Sequence, residues 1–121
     1  MRPARLLTAC LAGALTLYGI SAHACSCRMM WAQAIKASDV VFQGRVTSVH
    51  ADRRNLYASM TVIRPIKGSV RTTIEVGTRK QSAACGYPFR PGQVLVVGAR
   101  FREQQYRTNM CVMYNLNKRK R

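Results

Sequence analysis

Two cysteines one residue apart, Cys25 and Cys27, stand directly behind a segment that reads as one to be cut away, and this arrangement constrains the chain more than any other feature. Arg2 and Arg5 supply a positive start, and Leu6 to Ile20 is an apolar run short for a bilayer crossing. Ala22-His23-Ala24 then offers small residues at both positions that a signal peptidase reads. The expectation is an export signal over residues 1–24, cleavage before Cys25, and a mature protein that is secreted or periplasmic. An uncleaved anchor would call for a stop-transfer pattern, which does not follow. A lipoprotein signal would also place Cys25 at the cut, although it prefers a larger aliphatic residue where Ala22 stands.

Cleavage leaves residues 25–121, enough for one small domain whose modest core gains from covalent staples. Cys10 departs with the signal, so Cys25, Cys27, Cys85 and Cys111 remain. In an oxidising compartment an even number reads as two disulfides, and four cysteines allow three pairings. A structural zinc site would want closely spaced ligand pairs at both ends. Here only Cys25 and Cys27 are close, and His50 is the one histidine left. The expectation is therefore no cofactor, no intrinsic metal, no transmembrane segment in the mature chain, and a monomer.

Charge is the second strong constraint. The chain carries 20 basic and four acidic side chains, and loss of Arg2 and Arg5 leaves the mature balance at +14. Such a field attracts nucleic acid, lipopolysaccharide, acidic glycans or acidic protein surfaces, and it also simply keeps a protein soluble. Arg53, Arg54, Arg100, Arg102 and Arg107 are the candidates for a basic groove. Catalysis finds no foundation. One histidine and four scattered acids (Asp39, Asp52, Glu75, Glu103) do not furnish a hydrolytic metal site, and no thiol stays free beside a base once both bridges form. The chain is not expected to be an enzyme.

Along the mature chain, Trp31, Ala34 and Ile35 lie at helical spacing and predict one short helix from Met30, ending near Ser38. Val40 to Val49 is rich in β-branched residues and predicts a strand, with Gly44 marking a bulge or bend. Ala51 to Asn55 predicts a turn that carries His50 at its edge. Tyr57 to Ile63 predicts a second strand, which Pro65 should end or confine to an edge. A third is expected around Thr72 to Val76, then a loop from Gly77 to Pro91. Gln93 to Arg102 is apolar on both faces at Val94 to Val97, as a central strand would be. A last strand or extended segment reaches Cys111 and Val112, and residues 118–121 form a basic tail. The pattern predicts an all-β fold with one short helix: a five-stranded, closed or nearly closed antiparallel Greek-key barrel of the oligonucleotide/oligosaccharide-binding kind. Trp31 and Tyr87 are expected as packing residues, whereas Phe89 and Tyr106 fit either packing or an exposed stacking surface.

Three stretches carry a resemblance: Cys25-Ser26-Cys27 at the mature start, Ser38 to Val46 (SDVVFQGRV), and Ser82-Ala83-Ala84-Cys85-Gly86-Tyr87. Together with the Lys67-Gly68 and Pro91-Gly92 steps, they resemble the N-terminal domain of the tissue inhibitors of metalloproteinases and the wider netrin-like family. The likeness covers about Cys25 to Cys111, so a domain over 25–117 is expected. It implies the five-stranded barrel and a pairing of Cys25 with Cys85 and of Cys27 with Cys111.

It also implies an activity. In that family the free α-amine and carbonyl oxygen of the terminal cysteine chelate a protease's catalytic zinc, so Cys25 would do so here. Ser26 would face the pocket beyond the scissile bond, and Ser82, Ala83 and Ala84 would flank it as a contact ridge with Cys27. The implied partner is a zinc metalloprotease. This chain departs from the family in having Arg28, Met29 and Met30 where a proline usually follows the second cysteine. Its cysteines leave no place for the third disulfide of the animal inhibitors, and no C-terminal domain like theirs is expected.

Overall fold

A computed structural model describes residues 25–117; the export signal read over 1–24 and the basic tail over 118–121 lie outside the described residues. Helix α1 spans Trp31–Ala37. The strands are β1 (Val40–Ala51), β2 (Asn55–Lys67), β3 (Thr73–Arg79), β4 (Val94–Arg102), β5 (Gln105–Arg107) and β6 (Met113–Asn115). Single 3-10 turns lie at Ser82–Ala84 and Met110–Val112. The fold is mostly β with one short helix, and two disulfides staple it.

Five strands close a ring. β1 pairs with β2, β2 with β3, β3 with β5, β5 with β4, and β4 returns to β1 through Val40–Arg45 against Val94–Ala99. β6 adds to β4 over Leu95–Val97, where β1 also pairs with it, so β4 is the central strand that its apolar run predicts. The alternation along β1 sends Val40, Phe42 and Val46 inward, where they meet Ala58, Met60, Val76, Leu95, Val97 and Ala99. Phe89 closes this core and is buried, so it is no exposed stacking surface.

A barrel this small needs strands that bend, and the ladder shows where they do. β1 and β2 shift register beside Phe42, Gly44 and Ser48. A Cβ on Gly44 would sit 3.0 Å from the Phe42 ring and 3.1 Å from the Met60 methyl, so the bend is packed tightly from within. Pro65 does not end β2 but lies on an edge stretch of it, since the ladder to β3 stops at Thr61. It pairs with Phe42 at one of these irregularities, and the strand runs on to Lys67. A proline has no N–H to lose where the ladder is already broken.

Other expectations change in detail. β3 continues to Arg79, past Gly77, because its second half pairs with the start of β2. One pairing is parallel, β3 to β5 at Val76–Tyr106 and Gly77–Arg107, so the ring is not wholly antiparallel. His50 belongs to β1, where it stacks on Tyr57 at 5.0 Å between centroids. Trp31 is exposed at 43%, since Ala34 is the residue that α1 buries.

Polar groups tie down the end of the helix. Lys67 donates through Nζ to the carbonyls of Ile35 (3.1 Å), Lys36 (2.9 Å) and Ser38 (2.6 Å), placing a cation on the negative end of α1. Gly68 follows with φ +78°, and a Cβ there would lie 2.6 Å from the Asp39 carbonyl oxygen. The lysine and glycine together bring the end of β2 against the helix and the start of β1.

Candidate functional site

The cysteines gather three distant segments at one end of the barrel. Cys25 is bonded to Cys85 and Cys27 to Cys111, with Cα separations of 4.9 and 5.4 Å. The sulfurs of Cys25, Cys85 and Cys111 all lie within 4.8 Å of one another, so the two bridges are stacked against each other. Those sulfurs are consumed in covalent bonds and offer no metal site in this state.

Local chemistry shapes the second segment. Ala84 and Gly86 both donate N–H bonds to the Gln81 carbonyl at 3.1 Å, and Cys85 N–H reaches the Ser82 carbonyl at 2.9 Å. Cys85 closes the turn in the left-handed region, φ 65°. A Cβ on Gly86 would collide with the Arg79 carbonyl, so the backbone passes there only because the residue is glycine. The third segment is coupled to the second by the Met110 N–H donating to the Cys85 carbonyl at 2.9 Å. Asn109 then caps the turn that carries Cys111, accepting from its N–H at 2.8 Å.

Ser26, Cys27, Ser82, Ala83 and Ala84 are exposed, while Cys25 and Cys85 are half-buried between them. All six residues singled out by the resemblance therefore lie on two short segments joined by the Cys25–Cys85 bond. Arg28, Met29 and Met30 continue the exposed edge, with Met30 exposed at 74%. A cavity of about 260 Å³ opens beside this edge, lined among others by Ser26, Cys27, Met29, Arg28, Arg100 and Arg107.

The arginines do not form the one groove expected of them. Arg100 and Arg107 join Arg28 at that cavity, whereas Arg53 and Arg54 lie elsewhere with Arg79 and Lys80, next to Ala84. Arg102 sits apart at the end of β4, opposite Gln105. Nothing along the chain signals the company of Arg53 and Arg79. It follows from the β2–β3 register, which sets Asn55 opposite Arg79. The ridge is thus flanked by cations on two sides. Among the described residues, the ion pair within 4.0 Å is His50 with Glu75 at 3.8 Å, which leaves both arginine groups without a carboxylate partner.

Tyr87 and Tyr106 are half-buried supports. Tyr87 packs edge-on against Phe89 at 5.1 Å and accepts a bond from Asn115 Nδ2 at 3.2 Å, while Tyr106 packs edge-on against the exposed Phe101 at 5.0 Å. No helix among the described residues is long and apolar enough to cross a membrane. Neither a scan of models of known protein families nor a search of curated proteins finds a match to this chain.

Proposed function

We propose that the exported domain inhibits zinc metalloproteases through the freed α-amine and the carbonyl oxygen of Cys25, as its motifs' resemblance to the tissue inhibitors of metalloproteinases implies. The observation that carries the reading is the covalent clamp. Two stacked bridges hold Cys25-Ser26-Cys27 at an exposed edge, beside the equally exposed Ser82-Ala83-Ala84 turn.

The chemistry follows from the backbone. In the precursor the Cys25 nitrogen is part of a peptide bond, and cleavage before it releases a primary amine. That nitrogen and the Cys25 carbonyl oxygen close a five-membered chelate on one metal ion. A catalytic zinc keeps a position open for water, which the amine displaces. The amine must be neutral to bind, and a free α-amine titrates at about 8. Arg28, Arg100 and Arg107 face the same cavity as Ser26 and Cys27, and nearby positive charge disfavours the protonated amine. Fixing Cys25 before the encounter removes ordering cost from binding. Ser26, small and exposed, enters the pocket beyond the scissile bond, and Ser82, Ala83 and Ala84 lie along the cleft.

The test compares three forms of the oxidised mature protein: a free Cys25 amine, an acetylated one, and one with a single alanine added before Cys25. Against a panel of zinc endopeptidases, the free form is expected to inhibit, and the blocked forms to lose about 100-fold or more in affinity, roughly 2.7 kcal/mol. All three should keep the same circular dichroism. Equal inhibition by free and blocked forms, or none by the free form across the panel, overturns the proposal.

A further inference from the structure

The cleft lined by Arg53, Arg54, Arg79 and Lys80 has the chemistry of an anion site in its own right. It measures about 360 Å³ and is completed by Gln81 and Ala84. The four cations come from two strand ends that the fold locks together. The Lys80 N–H donates to the Arg54 carbonyl at 2.8 Å, and Asn55 pairs with Arg79 in the β2–β3 ladder. All four residues are exposed, so each head group is free to meet a ligand.

The one nearby acid, Asp52, acts on Lys80 only at a distance and forms no ion pair with the four, so a single negative charge stands beside four positive ones. Asp52 Oδ1 accepts from the N–H groups of Asn55 (2.8 Å) and Arg54 (3.0 Å), and Oδ2 accepts from the Tyr57 hydroxyl at 3.1 Å. These bonds build the turn that presents Arg53 and Arg54. No ion pair within 4.0 Å involves any of the four cations among the described residues. Four like charges around one cleft repel one another, and the arrangement is relieved when an anion enters.

We infer that this cleft binds tetrahedral oxyanions repeated along a polymer, phosphate or sulfate groups on an exported or surface chain. Arginine supplies three of the four cations, and its planar fork matches phosphate and sulfate oxygens two at a time, where an ammonium is a point charge. All six residues that line the cleft are exposed, so it lies at the surface and a ligand seated in it can continue beyond it as a chain. This site does not rest on the inhibitor reading. It uses neither the Cys25 amine nor cleavage before it, and the two share only the neighbourhood of Ala84.

The experiment measures binding of the oxidised mature protein to short inorganic polyphosphate, to dextran sulfate of similar charge, and to polyglutamate as a carboxylate control. Two charge-matched variants separate a site from a general field. One is Arg53→Ser/Arg54→Ser/Arg79→Ser/Lys80→Ser, and the other is Arg45→Ser/Arg64→Ser/Arg71→Ser/Arg90→Ser, which removes four exposed cations outside the cleft. The unaltered protein is expected to bind an oxyanion polymer with affinity that falls steeply as salt rises, and the cleft variant to lose about tenfold or more. The matched variant should lose far less. Whichever oxyanion polymer binds more tightly identifies the source. Equal losses in the two variants, polyglutamate binding as tightly as either oxyanion polymer, or no binding to either oxyanion polymer overturns the inference. Both variants keep Cys25, so inhibition assayed in parallel reports separately on the inhibitor reading.

Discussion

Removing the Cys27–Cys111 bridge with Cys27→Ala/Cys111→Ala should cost less than its sequence separation suggests. Taken alone, that bridge closes a loop of 84 residues and Cys25–Cys85 one of 60. With the other bridge intact, either bond closes only a ring of about 28 residues, running from Cys25 to Cys27 and from Cys85 to Cys111. The chain-entropy relation gives about 3.6 kcal/mol at 25 °C for such a ring, against about 4.3 and 4.6 kcal/mol for the two full loops. The two single-bridge variants, Cys27→Ala/Cys111→Ala and Cys25→Ala/Cys85→Ala, should therefore lose about the same stability. Loss of both bridges should cost about 8 kcal/mol, enough to consume the whole stability of a domain this size. Urea unfolding followed by far-ultraviolet circular dichroism measures these differences from the midpoint and slope. A loss under about 1 kcal/mol in either single-bridge variant, or two losses differing by more than about 1.5 kcal/mol, would refute the shared-ring reasoning.

Two further expectations come from the charges. The Asn55 and Arg54 N–H groups, then the Tyr57 hydroxyl and Lys80, hold the Asp52 carboxyl below its ordinary range. A carboxylate whose folded pKa is depressed contributes stability that is fully present above its unfolded pKa of about 3.9 and is lost as pH falls through the folded value. Asp52→Asn should thus be less stable than the unaltered protein at neutral pH, with the gap narrowing only in acid; a gap that stays constant down to pH 2 contradicts the turn's electrostatics. Replacing Arg28, Arg100 and Arg107 by glutamine should raise the pKa of the Cys25 amine and move the acid limb of inhibition to higher pH. An unmoved pH profile would show that these cations do not act on the amine.

Much of the barrel was legible because it depends on local pattern. The alternation in Val40 to Val49 and the two-faced run at Val94 to Val97 correspond to β1 and β4, and Gly44 lies at a real irregularity of the ladder. The errors arose where partners distant in sequence decide the outcome. β2 outlasts Ile63 because Phe42 and Val41 pair with Pro65 and Lys67, and β3 outlasts Gly77 because Asn55 to Tyr57 pair with its end. Trp31 looked like the residue α1 would bury, yet the helix rests on Ala34 and on the Lys67 ammonium. The cysteine pairing came from resemblance, since spacing alone left three choices, and the structure has the pairing so implied. Arg79 and Lys80 could not have been linked to Arg53 and Arg54 from the chain, because only the ladder register joins them.

The most direct measurement watches the metal. A zinc endopeptidase reconstituted with cobalt reports its ligand set through visible absorption, and adding the oxidised mature protein should change that spectrum as nitrogen and oxygen of Cys25 take the solvent position. The acetylated form should leave the bands where they were. A spectrum unmoved by the free form at concentrations that inhibit would mean that contact is made away from the metal, and the chelation account would fall.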